Sequence, residues 1–306
     1  MRFRTYPKIG GASASAGGTW VATEKLHGAN FVVGVDDKVW FGKRKQWVGP
    51  DEPFFGWQLI AAELGDRCRA LASQTGAAQT VCYGELYGGG YPHRDVAALP
   101  GMSPVQTGVW YAPELRWALL DVLVARGDDD DGELLGFSEV APLAMAAGIE
   151  TAPVLGRGKK GELQAIVVAA PTAVPERLGL PPLAGNLREG YVLKPDRRYP
   201  ASARPILKRK LPDFDDARFE EGPGWQPGHL SFEQLRVWAV RLVNPARVAS
   251  ARSKVGADPA AIIEEIVLDV AADLETVFAA AWRALGEREA SVLEVIRRAA
   301  VDAVRR

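Results

Sequence analysis

The chain has 306 residues, of which 47% are hydrophobic and 25% are charged, an ordinary composition for a globular protein with room for about two domains. Its formal net charge is −1, so any contact with nucleic acid must come from local clusters of Lys and Arg and not from bulk charge. Two cysteines without metal-ligand spacing, and no apolar run of about 20 residues, predict reduced thiols, no membrane partner and a cytoplasmic location.

The first half of the chain alternates apolar and polar residues in short runs that are typical of strands. Strands are predicted at 20–26, 31–35, 38–43, 80–87 and 116–125. Apolar residues recur with helical spacing over 54–71, which predicts an amphipathic helix. Asp128–Asp131 follows the last of these strands. Consecutive carboxylates in a Gly-bounded turn predict a solvated hairpin tip and not a metal site.

The second half mixes short elements and ends in a helical region. Helices are predicted at 137–147 and 162–170, with strands at 153–155, 188–194 and 205–211. The stretch 221–228 is rich in Gly and Pro, which favours a linker. Beyond it, Asp258 and Pro259 are typical of the start of a helix. The sequence therefore predicts two domains, 1–227 and 228–306, and the second is helical.

Three common enzyme motifs are absent or stand in the wrong context. The chain contains neither the Gly-x-x-x-x-Gly-Lys-Ser/Thr of a P-loop nor the Gly-x-Ser-x-Gly of a serine hydrolase. Gly156–Gly161 matches Gly-x-Gly-x-x-Gly, but a dinucleotide site needs regularly alternating strands and helices around it, and the predicted elements do not alternate in that way. These observations argue against a P-loop NTPase, a Rossmann dehydrogenase and a Ser-His-Asp hydrolase.

Lys25 is a candidate nucleophile. It ends a predicted strand and is followed three residues later by Gly28, so its amine can stand over a pocket while the backbone bends away. The same Lys-x-x-Gly spacing occurs at Lys8, and the motif alone does not choose between the two. The choice depends on later charged residues in apolar strands, where burial is costly unless the charge is paired or functional. These are Lys43, Arg44, Glu85, Asp121, Glu189, Lys208 and Lys210, the last two on one face of their strand.

These segments resemble the nucleotidyltransferase motifs of the covalent ligase superfamily, and in particular the double-strand, nick-sealing RNA ligase family that includes the kinetoplastid RNA-editing ligases. The resemblance runs from about residue 20 to residue 211, in the order of the family's motifs. It implies an α+β fold, with a nucleotidyltransferase domain of the ATP-grasp-like ligase type on mixed or antiparallel sheets, followed by a small all-α domain. The matching segments are 24–31, 43–44 with 54–56, 84–93, 108–121, 152–158, 189–195 and 207–210.

The resemblance also implies a reaction. The ε-amine of Lys25 attacks the α-phosphorus of ATP and becomes bound to AMP. AMP then passes to the 5′-phosphate at a nick in duplex RNA. The neighbouring 3′-hydroxyl displaces AMP and seals the nick. Mg²⁺ or Mn²⁺ is the implied metal, with Glu189 beside it. By resemblance the catalytic residues are Lys25, Glu189, Lys208 and Lys210; the nucleotide contacts are Glu24, Leu26, His27, Asn30, Arg44, Glu85, Leu120, Lys208 and Lys210; and the RNA contacts are Asn30, Arg44, Phe54 and Lys194.

Leu120 departs from the family pattern, which usually has an aromatic residue there to stack on adenine. An aliphatic side chain also packs against a base, so the departure implies weaker or differently supported adenine binding. Simpler roles stay open for three residues: His27 as the cap of a turn, Phe54 as helix core and Lys194 as a solvated strand end.

Two other functions also stay open. One is a DNA ligase or capping guanylyltransferase of the same superfamily, which normally carries an OB barrel after the fifth motif. The helical pattern after residue 228 argues against it. The other is a non-catalytic module that binds duplex RNA. The full set of charged motif residues argues against that module, because binding alone needs no nucleophile.

Overall fold

The computed structural model describes residues 1–7, 16–214 and 230–306. Lys8, the predicted linker at 221–228 and the predicted domain boundary at 227 lie outside the described residues. The described residues belong to two compact units. The larger contains 1–7, 16–55, 64–99 and 103–214, and the smaller contains 56–63, 100–102 and 230–306. The predicted division at residue 227 stays a prediction.

The larger unit carries two antiparallel sheets. Its strands in chain order are β1 (Trp20–Lys25), β2 (Ala29–Val35), β3 (Val39–Lys43), β4 (Gln46–Trp47), β5 (Gln79–Gly90), β6 (Ala112–Ala125), β7 (Glu133–Leu134), β8 (Val154–Gly158), β9 (Gly190–Pro195), β10 (Tyr199–Pro200) and β11 (Leu207–Lys210). The helices between the strands are α1 (Gln58–Thr75), α2 (Phe137–Ala146), α3 (Lys160–Leu163) and α4 (Val174–Arg177). All named strand pairs are antiparallel.

The first sheet has seven strands in the order β10-β7-β6-β5-β2-β3-β4. The hairpin of β2 and β3 turns at Asp36, whose Oδ1 accepts hydrogen bonds from the backbone N of Lys38 (3.0 Å) and from Nε1 of Trp40 (2.9 Å). β6 returns as β7 around Asp128–Asp131. The backbone N of Arg2 donates to Asp128 (2.8 Å). The prediction of a hairpin tip at this acidic turn is confirmed.

The second sheet has four strands in the order β11-β9-β1-β8. Alternate residues of its central strands form a buried core, which includes Trp20, Ala22, Tyr191 and Leu193. The chain leaves this sheet after β1 and enters the seven-stranded sheet at β2, with only residues 26–28 between them. The candidate nucleophile therefore stands where the chain passes from one sheet to the other.

The smaller unit is helical over residues 230–306. Its helices are α5 (Phe232–Arg241), α6 (Pro245–Val255), α7 (Pro259–Val277), α8 (Ala279–Arg283) and α9 (Glu289–Arg305). Asp258 caps α7 by accepting from the backbone N of Ala260 (3.4 Å) and Ala261 (3.2 Å), as the sequence predicts. The α+β fold with a helical C-terminal part is confirmed. Among the described residues, no helix combines the length and the hydropathy needed to cross a membrane.

Two predicted helices differ from the structure. The helix predicted at 54–71 begins at Gln58 and ends at Thr75, so Phe54 precedes it. Of the helix predicted at 162–170, only α3 forms. Beyond it, the backbone oxygens of Val167 and Val168 accept from the guanidinium of Arg188, and that of Ala170 accepts from the backbone N of Arg188 (3.0 Å), so the segment is held by a distant residue and not by hydrogen bonds along a helix. The apolar spacing of that segment reflects packing against the four-stranded sheet and not a helical face.

Candidate active site

Lys25, Gly190 and Lys210 lie opposite one another on three neighbouring strands. The register pairs Lys25 of β1 with Gly190 of β9, and Gly190 with Lys210 of β11. Directly opposed residues of antiparallel strands project from the same face, and so does Lys208, two residues before Lys210. Lys208 is exposed, and Nζ of Lys210 donates to the backbone oxygen of Phe214 (2.9 Å). The predicted shared face of Lys208 and Lys210 is therefore confirmed, and Lys25 belongs to it.

Glu189 connects Lys25 with His27. Oε2 of Glu189 lies 2.7 Å from Nζ of Lys25 and 3.4 Å from Nδ1 of His27. The Glu189 side chain is 3% exposed and that of Lys25 is 21% exposed. The carboxylate therefore lies at the bottom of the site, and the lysine side chain reaches solvent. The His27 ring packs edge-on against Phe214, with 5.2 Å between the ring centroids. Three residues that the resemblance singled out thus meet in one place.

The charge of Glu189 follows from its neighbours. Burial alone would raise its pKa, because it disfavours the charged form. The hydrogen bond from His27 and the positive charge of Lys25 outweigh burial and lower the pKa of Glu189 below its ordinary value. The carboxylate is therefore ionised at neutral pH and can hold a cation.

Glu85 is a second carboxylate of the site, contributed by the seven-stranded sheet. Burial raises its pKa to about 7, with a further contribution from the negative charge of Glu189 and against the effect of Lys25. Glu85 lies opposite Asn30 in the register of β2 and β5. Nδ2 of Asn30 donates to the backbone oxygen of Gly84 (3.2 Å). The side-chain oxygen of Asn30 is buried and has no hydrogen-bond partner among the described residues.

Position 28 requires glycine. A Cβ atom built on Gly28 would overlap the backbone oxygen of Leu86. The two backbones come this close because the chain passes from β1 to β2 within residues 26–28, directly beside β5. The glycine of the Lys25-x-x-Gly28 motif therefore allows the chain to pass from one sheet to the other, and this passage positions the amine of Lys25.

Glu24 is engaged by the protein itself. Its side chain is buried, the hydroxyl of Thr172 donates to one carboxylate oxygen, and the backbone N of Ala173 donates to the other (3.0 Å). Burial raises the pKa of Glu24 in spite of these hydrogen bonds. Glu24 thus anchors the end of β1 to the start of α4, and its predicted nucleotide contact stays a prediction. Thr172 was missed by sequence reasoning, since it is uncharged and lies in no motif.

Leu26 and Leu120 belong to one apolar cluster. Leu26 is buried in it with the rings of Tyr87 and Tyr111, and Leu120 packs against the cluster while partly exposed. Leu120 therefore offers an aliphatic surface next to the strand end that carries Lys25. Nothing in this packing replaces the ring that the family usually has at position 120.

Asp121 is the centre of a buried network of charges. Oδ1 lies 2.8 Å from NH1 of Arg204, and Oδ2 lies 3.0 Å from Nζ of Lys194 and also accepts from the hydroxyl of Tyr6. The attraction of Arg204 and Lys194 outweighs burial and lowers the pKa of Asp121. Arg204 was missed by sequence reasoning, because it lies outside any strand and 83 residues from Asp121.

Lys194 does not have the position of a solvated strand end. Its side chain is 2% exposed, and Nζ donates to the backbone oxygen of Leu120 (2.7 Å) as well as to Asp121. The simpler interpretation as a solvated residue is therefore wrong. The predicted contact of Lys194 with RNA stays a prediction that this structure does not favour, because the ammonium is already paired and shielded from solvent.

Arg44 and Phe54 lie on the side of the seven-stranded sheet that ends in β4. Arg44 is exposed in the turn between β3 and β4. The Phe54 ring is half-buried and stacks on Phe31 of β2, with centroids 6.1 Å apart and an interplanar angle of 17°. Phe54 is thus not part of a helix core. Its ring is partly exposed, so it is accessible for the predicted RNA contact.

A family model supplies the decisive comparison. The model of the RNA ligase family matches residues 18–210, which include every strand from β1 to β11. The chain belongs to the RNA ligase family. The resemblance stated from the motifs is confirmed, and the face that carries Lys25, Lys208 and Lys210 lies inside the matched region.

Curated members of the RNA ligase family share part of this sequence. The mitochondrial RNA-editing ligase 2 of Trypanosoma brucei brucei is 29% identical over 234 residues, which are 67% of this chain and 56% of that protein. The mitochondrial RNA-editing ligase 1 is 32% identical over 218 residues, 61% of this chain and 46% of that protein. The chain spans about half the length of the curated relatives it matches.

Solved structures with a similar arrangement include variants of the Naegleria gruberi RNA ligase. One, with ATP and Mn, has a TM-score of 0.41 at 15% identity and covers 64% of this chain and 50% of its own. Another, with AMP and Mn, has a TM-score of 0.42 at 13% identity and covers 63% of this chain and 49% of its own.

The carboxylates of this RNA ligase family member fit a divalent ion that arrives with a nucleotide. No three His, Cys, Asp or Glu side chains cluster as a metal site in the parts of the chain that the structure describes. Glu85 and Glu189 interact electrostatically, and the charge of Glu189 helps to raise the pKa of Glu85. A cation between them would relieve this repulsion. Mg²⁺ commonly takes one or two protein carboxylates and completes its shell with water and phosphates.

Proposed function

We propose that this chain is an ATP-dependent RNA ligase that seals nicks with a 3′-hydroxyl and a 5′-phosphate in duplex RNA, through AMP bound to Lys25. The observation that carries the proposal is the 2.7 Å contact between Lys25 and Glu189, on the sheet face that also carries Lys208 and Lys210. A partly exposed lysine among other cations is suited to covalent nucleotidyl transfer. Membership of the RNA ligase family supports the substrate class.

The first step joins Lys25 to AMP. The neutral amine attacks the α-phosphorus of ATP, a P–N bond forms, and the P–O bond to pyrophosphate breaks while the nitrogen loses its extra proton to water. The cations of Lys208 and Lys210 offset the negative charge of the α-phosphate during this transfer. Attack needs the lone pair on nitrogen, so Lys25 has to give up the proton that it shares with Glu189 before it reacts.

Glu189 and Glu85 are the residues that would hold Mg²⁺ or Mn²⁺ with the nucleotide. Such an ion supplies additional neutralisation of the triphosphate when it is bound. Glu189 contacts the amine of Lys25 directly (2.7 Å), and Glu85 of the seven-stranded sheet interacts with it electrostatically. His27, in contact with Glu189, orients that carboxylate.

The later steps take place on RNA. The 5′-phosphate oxygen of the nick attacks the phosphorus of the lysine-bound AMP, the P–N bond breaks as the nitrogen takes up a proton from water, and a phosphoanhydride forms. The 3′-hydroxyl then attacks the 5′-phosphate and loses its proton to water, a phosphodiester forms, and AMP leaves. Asn30, Arg44 and Phe54 are our candidates for RNA contacts. The exposed turn at Arg44 and the partly open ring of Phe54 support them, since A-form duplexes are bound through backbone and sugar contacts.

The first experiment tests the covalent step. The protein is incubated with Mg²⁺ and either α-labelled ATP or α-labelled GTP, and the denatured protein is separated from free nucleotide. We expect label from ATP in an acid-labile bond. Lys25→Ala and Lys25→Arg lose it, and Lys8→Ala retains it. Label that survives Lys25→Ala would refute the assignment of the nucleophile.

The second experiment tests the nucleic acid. Nicked duplexes are offered with RNA or DNA on either side of the nick. We expect sealing where the 3′-terminal nucleotide is a ribonucleotide. If no such nick is sealed while protein labelling is normal, the duplex substrate is rejected and the adenylation step still stands.

The two alternative functions have less support. An OB barrel after the fifth motif would characterise the DNA ligase and capping enzyme readings, but residues 230–306 form helices. A binding module would have no use for a lysine paired with a buried carboxylate beside two further lysines. Labelling from GTP in preference to ATP would favour the capping reaction.

A further inference from the structure

The turn after β1 is the part of the chain that decides where the amine of Lys25 points. β1 ends at Lys25, and β2 begins at Ala29 in the other sheet. The three residues between them belong to neither ladder of strands, so their backbone groups need partners from elsewhere. The positions of Lys25 and His27 therefore depend on contacts made by this turn.

The hydroxyl of Tyr111 supplies such a contact. The backbone N of His27 donates to the Tyr111 hydroxyl at 2.8 Å. Tyr111 is 1% exposed, and its ring packs edge-on against Tyr87 with 5.3 Å between the centroids. A side chain fixed in the core thus holds the residue two positions after the nucleophile.

Tyr111 is itself held through its chain neighbour Trp110. The side chain of Asn186 exchanges two hydrogen bonds with the backbone of Trp110: its Oδ1 accepts from the N at 2.9 Å and its Nδ2 donates to the O at 2.7 Å. The backbone oxygen of Asn186 accepts from the backbone N of Thr172 (3.1 Å). The Thr172 hydroxyl in turn donates to Glu24.

These contacts form a chain of hydrogen bonds that begins just before the nucleophile and ends just after it. It runs from Glu24 through Thr172, Asn186 and the backbone of Trp110 to Tyr111, and from there to His27. Its two ends hold the residue before Lys25 and the residue two positions after it. Asn186 also precedes Glu189, the carboxylate partner of Lys25, by three residues.

We propose that Tyr111 and Thr172 are positioning residues for the adenylation step, which act by holding the backbone on both sides of Lys25. This inference rests on the proposed function. Neither side chain contacts Nζ of Lys25 among the described contacts, and each acts through one neutral hydroxyl. Removal of either hydroxyl should make the orientation of the Lys25 amine less well defined without unfolding the protein.

The test uses Tyr111→Phe, which removes the hydroxyl, and Thr172→Val, which replaces the hydroxyl with a methyl group of similar size. Single-turnover transfer of labelled AMP to the protein measures adenylation. Sealing of a nick whose 5′ end already carries AMP measures the final step, in which no bond to Lys25 forms. We expect each variant to slow adenylation about tenfold to one-hundredfold. A buried donor or acceptor loses its partner, and the amine then samples more directions relative to the α-phosphorus. Sealing of the pre-adenylated nick stays within about threefold of wild type.

Tyr87→Phe is the matched control. Tyr87 lies in the same cluster, is 2% exposed and contacts the Tyr111 ring, but its hydroxyl donates to Glu150 (3.0 Å) and not to the turn. It removes an equivalent hydroxyl from the same core, so we expect adenylation within about twofold of wild type. Thermal unfolding of all variants shows whether they fold.

The outcomes separate the two proposals. If wild-type protein takes no label from ATP, the proposed function fails. If wild type is labelled, equal loss of adenylation and of final sealing in Tyr111→Phe and Thr172→Val overturns the positioning role, as does wild-type adenylation in both. A loss in Tyr87→Phe as large as that in Tyr111→Phe would also overturn it. Selective loss of adenylation in Tyr111→Phe and Thr172→Val supports it.

Discussion

Lys194 of β9 and Asp121 of β6 form an ion pair between the two sheets, with Nζ 3.0 Å from Oδ2 and both side chains at most 2% exposed. The same ammonium donates to the backbone oxygen of Leu120 at 2.7 Å. β9 begins directly after Glu189, and Leu120 is the residue that the family resemblance places against the base. The pair therefore ties β9, the strand that follows Glu189, to the part of β6 that carries Leu120.

Asp121 is expected to matter more for stability than Lys194. Asp121→Asn leaves both Lys194 and Arg204 buried without a counter-charge, whereas Lys194→Met preserves the pair of Arg204 with Asp121 at 2.8 Å. We expect Asp121→Asn to lower the free energy of unfolding by about 3–5 kcal/mol, and Lys194→Met to lower it by clearly less. Urea unfolding of the larger unit measures both values.

The control for this prediction is an exposed pair in the same unit. Asp66 and Arg69 of α1 are 2.7 Å apart with side chains more than half exposed. Asp66→Asn should change the free energy of unfolding by less than about 1 kcal/mol. Equal losses in Asp121→Asn and Lys194→Met would contradict the asymmetry that the structure implies.

Glu85 should make stability depend on pH near neutrality. Its pKa in the folded protein, about 7, is above the ordinary value of 4.5. A group with a raised folded pKa stabilises the fold below its unfolded pKa, and this contribution is lost as the pH rises through the folded value. The stability of wild type should therefore fall between pH 4.5 and about 7 relative to Glu85→Gln. Parallel urea titrations across this range measure the difference, and a constant difference would contradict the raised pKa of Glu85.

Leu120 should limit the affinity for ATP. The side chain is partly exposed and aliphatic, so it offers dispersion contacts without the stacking geometry of a ring. We expect Leu120→Phe to lower the dissociation constant for ATP by about twofold to tenfold and Leu120→Ala to raise it. Binding is measured by calorimetry in the Lys25→Ala background, where no covalent product forms. Weaker binding by Leu120→Phe would place adenine elsewhere.

Arg44 should affect sealing more than adenylation. It is exposed in the turn between β3 and β4, on the side of the sheet where Phe54 stacks on Phe31. We expect Arg44→Ala to slow sealing of a pre-adenylated nick at least about tenfold, because it removes a fork of donors suited to phosphate. Its effect on labelling by ATP should be smaller. Lys45→Ala, the adjacent exposed cation, is the comparison, and an equal loss there would indicate general charge attraction.

The strands and the catalytic face were accessible to sequence reasoning. Strand alternation placed Lys208 and Lys210 on one face, because side-chain direction follows from local backbone geometry alone. The charge of Glu189 in an apolar segment singled it out, the family motifs added His27, and the structure brings both residues to Lys25. Local pattern and motif order were enough for these residues because each lies on a regular strand or directly beside one.

Contacts between distant segments were not accessible in the same way. Arg204 and Thr172 lie outside strands, and their partners are 83 and 148 residues away. The burial of Lys194 depends on Asp121 in the other sheet, so alternation along β9 could not distinguish an ion pair from a solvated end. The predicted helix at 162–170 failed for a similar reason, since the backbone of residues 167–170 hydrogen-bonds to the distant Arg188.

The edge position of β11 has a consequence for protein synthesis. Lys25 leaves the ribosome early, Glu189 much later, and Lys208 and Lys210 only with the last strand of the larger unit. A nascent chain that has emerged as far as β9 holds the amine and its carboxylate but lacks Lys208 and Lys210, the cations that we propose offset the charge of the α-phosphate. Under the proposed function, incomplete translation products would therefore not react with ATP, and the ability to do so would arise only once β11 has been made.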